Sequence, residues 1–520
     1  MSFQFTKPEA NKQAPNSSLP VVAIRRSGNL LDLAMCDGQP LVKPLQDLLI
    51  PQLTYTFKQY RVGAARFDPL TGHKGPAVTF SERRLFRYDD AGRLVCGSGF
   101  LDRVSRLING AGYRLNLELC DPPDKAINRS VFEADWDSVL KSFQFRPKQI
   151  ECLEHIAGNL CGIIDAPTGF GKGIVAAMIC RLYPKATIHI VEPGRDLVEK
   201  TVQLLLKYTP SVGQVGCGKR DWKRVTVISA DSLRLSDGNA DLLLGDEVHT
   251  LAAPSYAEPL ARYRHSRNFG LSASPTGRLD GADAKLESLF GPVIFKLSYQ
   301  EAKDFGLVVP IRVEWLDYQP TYNPCDSRKT DISRKRWGVW RNRERNLAFA
   351  VKARTYSADT QVLIIVETIE HALYLREHLP EFELCYGESG IDPDTETQYR
   401  SQGLLGPSEE LMTSQKREVL RKAFEKGTIK KVIATGIWST GVDFCQLQVL
   451  MRADGLASPI QDVQVPGRVC RTHGDQKDVG ILIDCLDAFD EGFRRRAVRR
   501  RKSYSDSGWE QVVSGVVLPG

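Results

Sequence analysis

Short apolar runs alternate with helix-length segments along the chain from about residue 140. The strand-length runs include GIIDAP, TIHIVEP, VTVISA and LLLGDE, and amphipathic segments such as RDLVEKTVQLLLKY lie between them. Strands that are apolar on both faces and alternate with helices are typical of a parallel sheet covered by helices on both sides. The pattern therefore predicts an α/β fold in this part of the chain.

A second series of the same kind begins past residue 346, with QVLIIVE, KVIATG and VGILIDCL as its strand-length runs. The earlier part of the chain differs, because short β-like pieces such as LPVVAIRR and YRLNLELC are separated by the turn formers DDAG and NGAG. The predicted organisation is a flexible tail (1–20), a small α+β domain (21–135), a first α/β lobe (136–309), a linker (310–345) and a second α/β lobe (346–520) with a basic C-terminal helix.

The length of 520 residues fits about three domains at ~100–200 residues each. Lys and Arg exceed Asp and Glu by 70 to 63, a mild excess that identifies no partner. The run FRRRAVRRRK (493–502) is either a solvated helix face or a phosphate-binding face. The cluster SERRLFRY (81–88) suits nucleic acid, but the solubility of a strand edge explains it equally well.

The 12 cysteines include no CxxC pair, so the spacing of a zinc finger is absent. The first residues, MSFQFTKPEANKQAPNSSLP, are polar and lack the apolar core of a secretory signal. No apolar run approaches the ~20 residues that span a bilayer. We expect a soluble protein of a reducing compartment with free thiols and no membrane partner.

The segment IIDAPTGFGKG (163–173) follows an apolar strand and precedes a helix, which is the context of a phosphate-binding loop. Gly169 and Gly171 let the backbone approach phosphates, and Lys172 reaches the β- and γ-phosphates. The usual pattern has Ser or Thr after the lysine, but here Gly173 follows it. The predicted nucleotide-binding loop comprises Ala166, Pro167, Thr168, Gly169, Phe170, Gly171, Lys172 and Gly173.

Two adjacent acids, Asp246 and Glu247, come directly after the apolar run LLLG. Hydrolysis of a nucleoside triphosphate needs a carboxylate that holds Mg²⁺ and a base that orients and deprotonates water. We therefore predict that Asp246 is a metal ligand and that Glu247 is the base.

The motifs APTGFGK, DEVH, GLSASP and QVPGRVCR occur in an order and spacing that resemble superfamily 2 helicases of the DEAD/DEAH-box class, over roughly residues 142–505. The stretch LFGPVIFKLSYQEAKDFGLVVPI most resembles the phage UvsW-type recombination helicases and their XPB-like relatives. This resemblance implies two tandem RecA-like parallel-sheet lobes preceded by the small α+β domain. It also implies ATP and Mg²⁺ as cofactors, and a cytoplasmic location, which is the host cytoplasm if the chain is phage-encoded.

The resemblance also assigns roles to single residues. FQFRPKQ resembles the adenine-recognising segment of the class, and ATGIWSTGVDF matches its motif V, whereas Ser272 and Ser274 match the motif that couples hydrolysis to lobe movement. The implied nucleotide-contacting residues outside the loop are Arg146, Gln149, Gly441 and Asp443. The implied catalytic residues are Lys172, Asp246, Glu247, Gln464 and the arginine fingers Arg468 and Arg471.

An ordinary structural role is the alternative for several of these side chains. Gln149 can be a surface amide of a helix, and His249 can be a packed core histidine instead of a coupling residue. Arg468 and Arg471 can form structural ion pairs. The motif V aromatic residue Trp438 is expected to pack in the core, as is Phe444, instead of stacking on a base.

Gly173 cannot supply the hydroxyl ligand that Ser or Thr gives to Mg²⁺. A water can fill that coordination position, so we expect metal or ATP binding to weaken by ~1–2 kcal/mol, without loss of turnover. The function expected is that of a monomeric ATP-dependent DNA helicase or translocase in replication, recombination or repair. An RNA helicase or remodeller, and an ATP-gated nucleic-acid clamp with weak hydrolysis, are the alternatives.

Overall fold

The computed structural model describes residues 19–68, 73–119, 129–273, 283–318, 320–388, 390–438, 444–458, 461–470 and 477–516. These residues form a small N-terminal α+β region and two α/β lobes, each built on its own sheet. The predicted α/β class and the small domain that precedes the lobes are therefore confirmed. Within the described ranges, no helix is both long enough and apolar enough to cross a membrane.

The N-terminal region contains β1 (Val21–Ser27), β2 (Leu30–Met35), α1 (Lys43–Leu49), β3 (Thr54–Asp68), β4 (His73–Arg84), β5 (Phe86–Tyr88), β6 (Leu94–Gly97), α2 (Leu101–Gly110) and β7 (Arg114–Leu119). Its sheet has the order β5-β6-β2-β1-β7, in which β1 and β7 are parallel and the other neighbours are antiparallel. Ile24, Leu33 and Phe100 are fully buried between this sheet and the helices. Strands β3 and β4 form a separate antiparallel hairpin.

This N-terminal region is joined closely to lobe 1. The Asn29 side-chain amide donates to the carbonyl oxygens of Tyr263 and Ser266, at 2.6 and 3.0 Å. A Cβ on Gly99 would lie 1.7 Å from the carbonyl oxygen of Glu287, so only glycine permits the approach. The contact therefore depends on backbone proximity as well as on side chains.

Lobe 1 contains α3 (Trp136–Ser142), α4 (Gln149–Gly158), β8 (Cys161–Asp165), α5 (Lys172–Leu182), β9 (Ile188–Glu192), α6 (Arg195–Leu205), β10 (Gly213–Gly216), β11 (Lys219–Asp221), β12 (Val225–Ser229), β13 (Leu242–Gly245), α7 (Ala257–Ala261), β14 (Arg267–Ser272), α8 (Asp283–Phe290), β15 (Val293–Lys296) and α9 (Tyr299–Asp304). The strand order is β11-β10-β12-β9-β13-β14-β8-β15, and every pair except β10–β11 is parallel. Strands β9, β12, β13 and β14 are buried along their whole length, as their apolar sequences predict.

The register of these parallel strands brings their carboxyl ends to one edge of the sheet. Gly245 of β13 is the partner of Val191 of β9, and Ser272 of β14 is the partner of Asp165 of β8. The residues that end or follow these strands therefore gather where β8 leads into the phosphate loop. Ligand sites in open α/β sheets lie at this edge.

Lobe 2 contains β16 (Ile311–Tyr318), α10 (Asp331–Lys335), α11 (Arg343–Arg354), β17 (Val362–Val366), α12 (Ile369–Arg376), β18 (Glu383–Cys385), α13 (Pro393–Ser401), α14 (Ser414–Glu425), β19 (Lys431–Thr435), β20 (Val449–Arg452), α15 (Gln461–Gln464), β21 (Gly480–Cys485), α16 (Glu491–Asp506) and β22 (Glu510–Val516). The strand order is β18-β19-β17-β20-β21-β16-β22, with parallel neighbours throughout the described part.

The segment expected to be a linker, residues 310–345, contributes to the lobe 2 sheet. Strand β16 lies between β21 and β22, so part of this segment belongs to the lobe core. Its sequence IRVEWLDY alternates polar and apolar residues. Because the strands predicted for this lobe are continuous apolar runs, this alternating segment does not match their pattern. The basic residues that follow are largely ion-paired, as in the contacts of Arg334 with Asp490 and of Lys335 with Glu367.

The basic run 493–502 forms most of α16, which has one buried face. Arg500 is completely buried and donates from Nε to Asp484 Oδ2 at 2.8 Å, whereas the side chain of Arg495 is 70% exposed. The phosphate-binding interpretation therefore fails for Arg500, because its guanidinium is a core group. The basic composition of this run does not by itself show which of its residues lie on the buried face of the helix.

Candidate active site

The phosphate loop connects β8 to α5 with two glycines in the left-handed region. Gly169 has a φ of +102° and Gly171 a φ of +90°, values that L side chains rarely adopt. Gly171 is the N-cap of α5, so the first backbone N–H groups of the helix point into the loop. Lys172 Nζ donates to the carbonyl oxygen of Ala166 at 3.1 Å, which holds the ammonium over the loop.

Gln149 and Arg146 brace this loop from behind. Gln149 is 1% exposed, and its Nε2 donates to the carbonyl oxygen of Phe170 at 2.8 Å. Its Oε1 accepts from the backbone N–H of Arg146 at 2.9 Å, and Arg146 Nη1 donates to the carbonyl oxygen of Gly169. Gln149 is therefore no surface amide, and both of its polar atoms are bonded to the chain. A contact of Gln149 with adenine stays a prediction.

Asp246 and Glu247 follow β13 as predicted. The N–H of Asp246 donates to the carbonyl oxygen of Val191 at 2.9 Å, and Asp246 Oδ1 accepts from the N–H of Glu247 at 2.9 Å. Burial and the Glu247 charge raise the pKa of Asp246 to about 6, although Lys172 opposes the shift. A cation at this carboxyl would favour the charged form and so oppose the shift.

The backbone of Glu247 is strained. Its φ of +42° lies in the left-handed region, which costs a residue other than glycine ~1–3 kcal/mol. Such strain persists only where the surrounding structure fixes the geometry. Here it turns the carboxylate of Glu247 toward His249, with 3.5 Å between Oε2 and Nδ1.

The two lobes meet at these side chains. Gln464 Nε2 of lobe 2 lies 3.3 Å from Glu247 Oε2 and 3.4 Å from His249 Nδ1. His249 Nδ1 also lies 3.1 Å from the hydroxyl of Ser272 at the end of β14. Four residues from three separate motifs therefore form one connected cluster.

The segment 464–470 of lobe 2 faces the phosphate loop. A Cβ on Gly467 would lie 3.5 Å from Thr168 Oγ1, and the carbonyl oxygen of Cys470 accepts from the N–H of Val309 at 2.7 Å. Arg468 lies in this segment and is 9% exposed. Three predicted site residues and one coupling residue lie outside the described residues, and their roles stay predictions: Arg471, Gly441, Asp443 and Ser274.

The aromatic residues of motif V pack in the core of lobe 2. Trp438 and Phe444 are 2% and 1% exposed. Their ring centroids lie 5.5 and 4.8 Å from that of Phe424. The packing interpretation therefore agrees with the structure, and neither ring is accessible to a base.

A buried charge network that the motifs do not reveal supports α15. Arg452 Nη1 donates to Asp462 Oδ1 at 2.7 Å and to the hydroxyl of Tyr504 at 3.1 Å. The same hydroxyl donates to Asp484 at 2.8 Å, and Asp484 is paired with Arg500. The network thus runs from the C-terminal helix α16 to Asp462, two residues before Gln464. Its members are spread over 53 positions, so no local pattern identifies them.

Sequence reasoning also missed Glu192, the last residue of β9. Glu192 is 2% exposed, and its Oε1 accepts from the hydroxyl of Thr201 at 2.7 Å. Burial, and then repulsion by Asp246, raise the pKa of Glu192 well above its ordinary value. An acid that closes the apolar run TIHIV was the one available signal.

The chemistry of these residues fits a Mg²⁺–nucleotide. The loop offers N–H groups and an ammonium to phosphates, and Asp246 offers a carboxylate to a cation. Among the described residues no group of three or more His, Cys, Asp or Glu side chains could hold a metal alone. The single carboxylate of Asp246 fits Mg²⁺, which usually takes one or two protein carboxylates together with waters and phosphate oxygens.

Comparison with known families gives two matches. Residues 142–277 match the family described as type III restriction enzyme, res subunit. Residues 346–473 match the helicase conserved C-terminal domain. The first match covers the phosphate loop and the acidic pair, and the second covers the segment that carries Gln464 and Arg468.

Relatives and a solved structure agree with these matches. DNA 3'-5' translocase XPB2 of Sulfurisphaera tokodaii is 27% identical over 381 residues, which cover 69% of this chain and 84% of the relative. ATP-dependent DNA helicase uvsW of Enterobacteria phage T4 is 20% identical over 440 residues, which cover 78% and 82%. A fragment assigned as an HsdR subunit of a type I restriction enzyme from Vibrio vulnificus YJ016 shares the fold, with a TM-score of 0.51 and 16% identity over 89% of this chain and 92% of the fragment. The chain belongs to the superfamily 2 ATP-dependent helicases.

Proposed function

We propose that the chain is a Mg²⁺- and ATP-dependent DNA helicase or translocase that acts in replication, recombination or repair. The observation that carries the proposal is the contact of Gln464 with Glu247 and His249, since it joins lobe 2 to the candidate base of lobe 1. One chain supplies both halves of this site, so we take the monomer as the functional unit. We assign it to the cytoplasm, of the host if the chain is phage-encoded.

We propose the roles of the side chains from their positions, and that of Arg471 from the resemblance alone. Bound Mg²⁺–ATP supplies a phosphoryl group whose charge the metal partly neutralises. Lys172 and the N–H groups of the loop bind the phosphates, and Asp246 holds the cation. Glu247 Oε2 orients water and accepts its proton, with Gln464 positioned beside it. Arg468, with Arg471, stabilises charge at the γ-phosphate from lobe 2.

A connected set of side chains couples this chemistry to lobe movement. His249 contacts Glu247, Gln464 and Ser272, so a change at the γ-phosphate alters contacts in both lobes. Interfaces of this kind convert small shifts into domain closure. Alternating closure and opening of the lobes along a phosphodiester backbone then produces translocation.

A cleft between the N-terminal region and lobe 1 supports a nucleic-acid substrate. Its volume is about 330 Å³, and Arg84, Arg87, Phe86 and Arg264 are among the residues that line it. The three arginines are exposed and have no acidic partner within the described residues. Guanidinium groups bind phosphates well, and such contacts favour the backbone over base sequence. The DNA relatives favour DNA over RNA as the occupant.

The test is ATP hydrolysis by the full chain with duplex DNA, branched DNA, single-stranded DNA or RNA, with Glu247→Gln as the blank. We expect hydrolysis that DNA stimulates and that Glu247→Gln abolishes, because the variant keeps the shape of the base but not its basicity. Stimulation by RNA alone would identify an RNA remodeller. ATP-dependent DNA binding without hydrolysis would identify a clamp, which the missing hydroxyl at Gly173 makes the second candidate.

A further inference from the structure

Glu192 and Asp246 lie side by side at the carboxyl edge of the lobe 1 sheet. The register pairs Val191 with Gly245, so the next residues, Glu192 and Asp246, leave adjacent parallel strands at the same level. The hydrogen bond from the N–H of Asp246 to the carbonyl oxygen of Val191 continues the ladder to this point. Neighbouring strands are ~4.8 Å apart, and residues at equivalent positions point to the same face.

One oxygen of the Glu192 carboxyl is satisfied and the other is not. Oε1 accepts from Thr201 Oγ1 at 2.7 Å. Oε2 is buried and has no hydrogen-bond partner among the described residues. A buried polar atom without a partner in a native fold indicates a ligand, an ion or an ordered water at that place. Because Asp246 is the neighbour, a cation-bound water suits this oxygen better than an anion.

Gly173 faces the same helix as Glu192. A Cβ on Gly173 would lie 3.1 Å from Leu204 Cδ2, and Leu204 is one turn after Thr201 on α6. The position where a P-loop hydroxyl normally meets Mg²⁺ and the Glu192 carboxyl are thus both covered by this one stretch of α6. The chain therefore lacks a side-chain oxygen at 173 and carries the Glu192 carboxyl against the same stretch of α6.

We propose that Glu192 is a positioning residue for the cation, accepting through Oε2 a hydrogen bond from a water of the Mg²⁺ shell and so replacing part of what a hydroxyl at 173 would supply. Thr201 fixes the orientation of the carboxyl. Mg²⁺ keeps several waters when it binds proteins, and groups that hold such waters tune its affinity. The proposal rests on the proposed function only in that a Mg²⁺–nucleotide occupies the loop.

The experiment measures Mn²⁺ binding to the full chain with ADP, by the loss of the EPR signal of free Mn²⁺. In Glu192→Gln we expect Mn²⁺ affinity to fall ~10-fold, the scale at which outer-shell partners act on metals. ADP binding without metal should stay unchanged. The matched control is Glu199→Gln, which removes the same charge from the exposed surface of α6 and should leave Mn²⁺ affinity as in wild type.

Two further variants make the result specific. Thr201→Val keeps the Glu192 carboxyl but removes its anchor, and should weaken Mn²⁺ binding by less than Glu192→Gln does. Adding Gly173→Ser to Glu192→Gln should recover part of the loss, since the new hydroxyl reaches the metal directly after a small shift of Leu204.

Equal Mn²⁺ affinity in Glu192→Gln and Glu199→Gln would overturn the proposal. A Glu192→Gln chain that melts at a higher temperature with unchanged Mn²⁺ affinity would show that the carboxyl serves packing alone, and would overturn it too. If Glu192→Gln does not fold, an unchanged affinity in Thr201→Val decides against the proposal. A wild-type chain that binds neither ADP nor Mn²⁺–ADP would instead refute the proposed function.

Discussion

The two lobes position their parts of the site in different ways. In lobe 1 the backbone places the groups, because Asp246 and Glu192 continue strands in register and Gly169 and Gly171 set the path of the loop. In lobe 2 side chains do this work, since α15 is anchored through the buried pair of Arg452 and Asp462. Residues that the backbone positions lie close together in the sequence and form a recognisable motif. The members of a charge network, in contrast, are scattered along the sequence. A family motif in lobe 2 therefore depends on partners that the motif itself does not contain.

The largest expected effect comes from breaking the lobe 2 network with Asp462→Ala. Removing one partner of a buried ion pair costs ~3–5 kcal/mol, and here it also frees the start of α15. We expect a lower melting temperature and loss of ATP hydrolysis, with Mg²⁺–ADP affinity retained because the predicted nucleotide-binding loop belongs to lobe 1.

The control for Asp462→Ala is Asp506→Ala, which removes an exposed partner of Lys502 on α16 and should cost at most ~1 kcal/mol. If Asp462→Ala hydrolysed ATP at the wild-type rate, the inference that buried side chains position the lobe 2 part of the site would be wrong.

A smaller effect is expected from Gly169→Ala in lobe 1. The variant forces a φ of +102° on alanine and brings its Cβ 3.1 Å from Val308 Cγ1, at a cost of ~1–3 kcal/mol. Nucleotide affinity should fall while the fold is kept, as titration with fluorescent ADP would measure. Gly158→Ala is the control, because a Cβ there meets nothing within 4 Å and its φ is not positive. Wild-type affinity in Gly169→Ala would contradict backbone positioning.

The smallest effect concerns the pH dependence of stability in Asp246→Asn. In the folded chain the pKa of Asp246 is about 6, whereas its ordinary value is 3.8. Between these two pH values the folded chain therefore keeps a proton that the unfolded chain has released. The folded state of the wild type is therefore more stable at low pH, and this contribution of Asp246 to stability is lost as the pH rises through about 6. Without Mg²⁺, Asp246→Asn should melt a few degrees higher than wild type at pH 8, and the difference should shrink toward pH 5.

Thermal scans at the two pH values, with the exposed Asp90→Asn as a charge-matched control, give the measurement for Asp246→Asn. Equal melting temperatures at pH 8 would show that the site tolerates the charge of Asp246 without cost.

What the sequence predicts well is local. Lys172 and the acidic pair follow from strand, turn and helix signals within a few residues, and the structure has them where those signals indicate. The family and the α/β fold follow from the same signals. The sequence also indicates Gln149 as a site residue, but in the structure its amide bonds to the carbonyl oxygen of Phe170 and to the N–H of Arg146, because the packing of α4 decides what the amide meets.

Features that depend on distant partners could not be predicted. Arg500 stands among surface arginines in the sequence, yet its pairing with Asp484 places it in the core. Glu192 becomes a candidate site residue only because β9 pairs with β13, which places it next to Asp246. Strand β16 is recognised only once β21 and β22 flank it, since its alternating sequence resembles a surface segment.

The close junction at Asn29 and Gly99 has a mechanical consequence. Because of these contacts the arginine-lined cleft and the phosphate loop belong to one packed unit, so nucleic acid bound as proposed in the cleft would keep its position relative to the loop when lobe 2 moves. Cutting the chain near residue 135 would therefore not yield an independent binding module. It would instead expose the surface of lobe 1 that the N-terminal region covers.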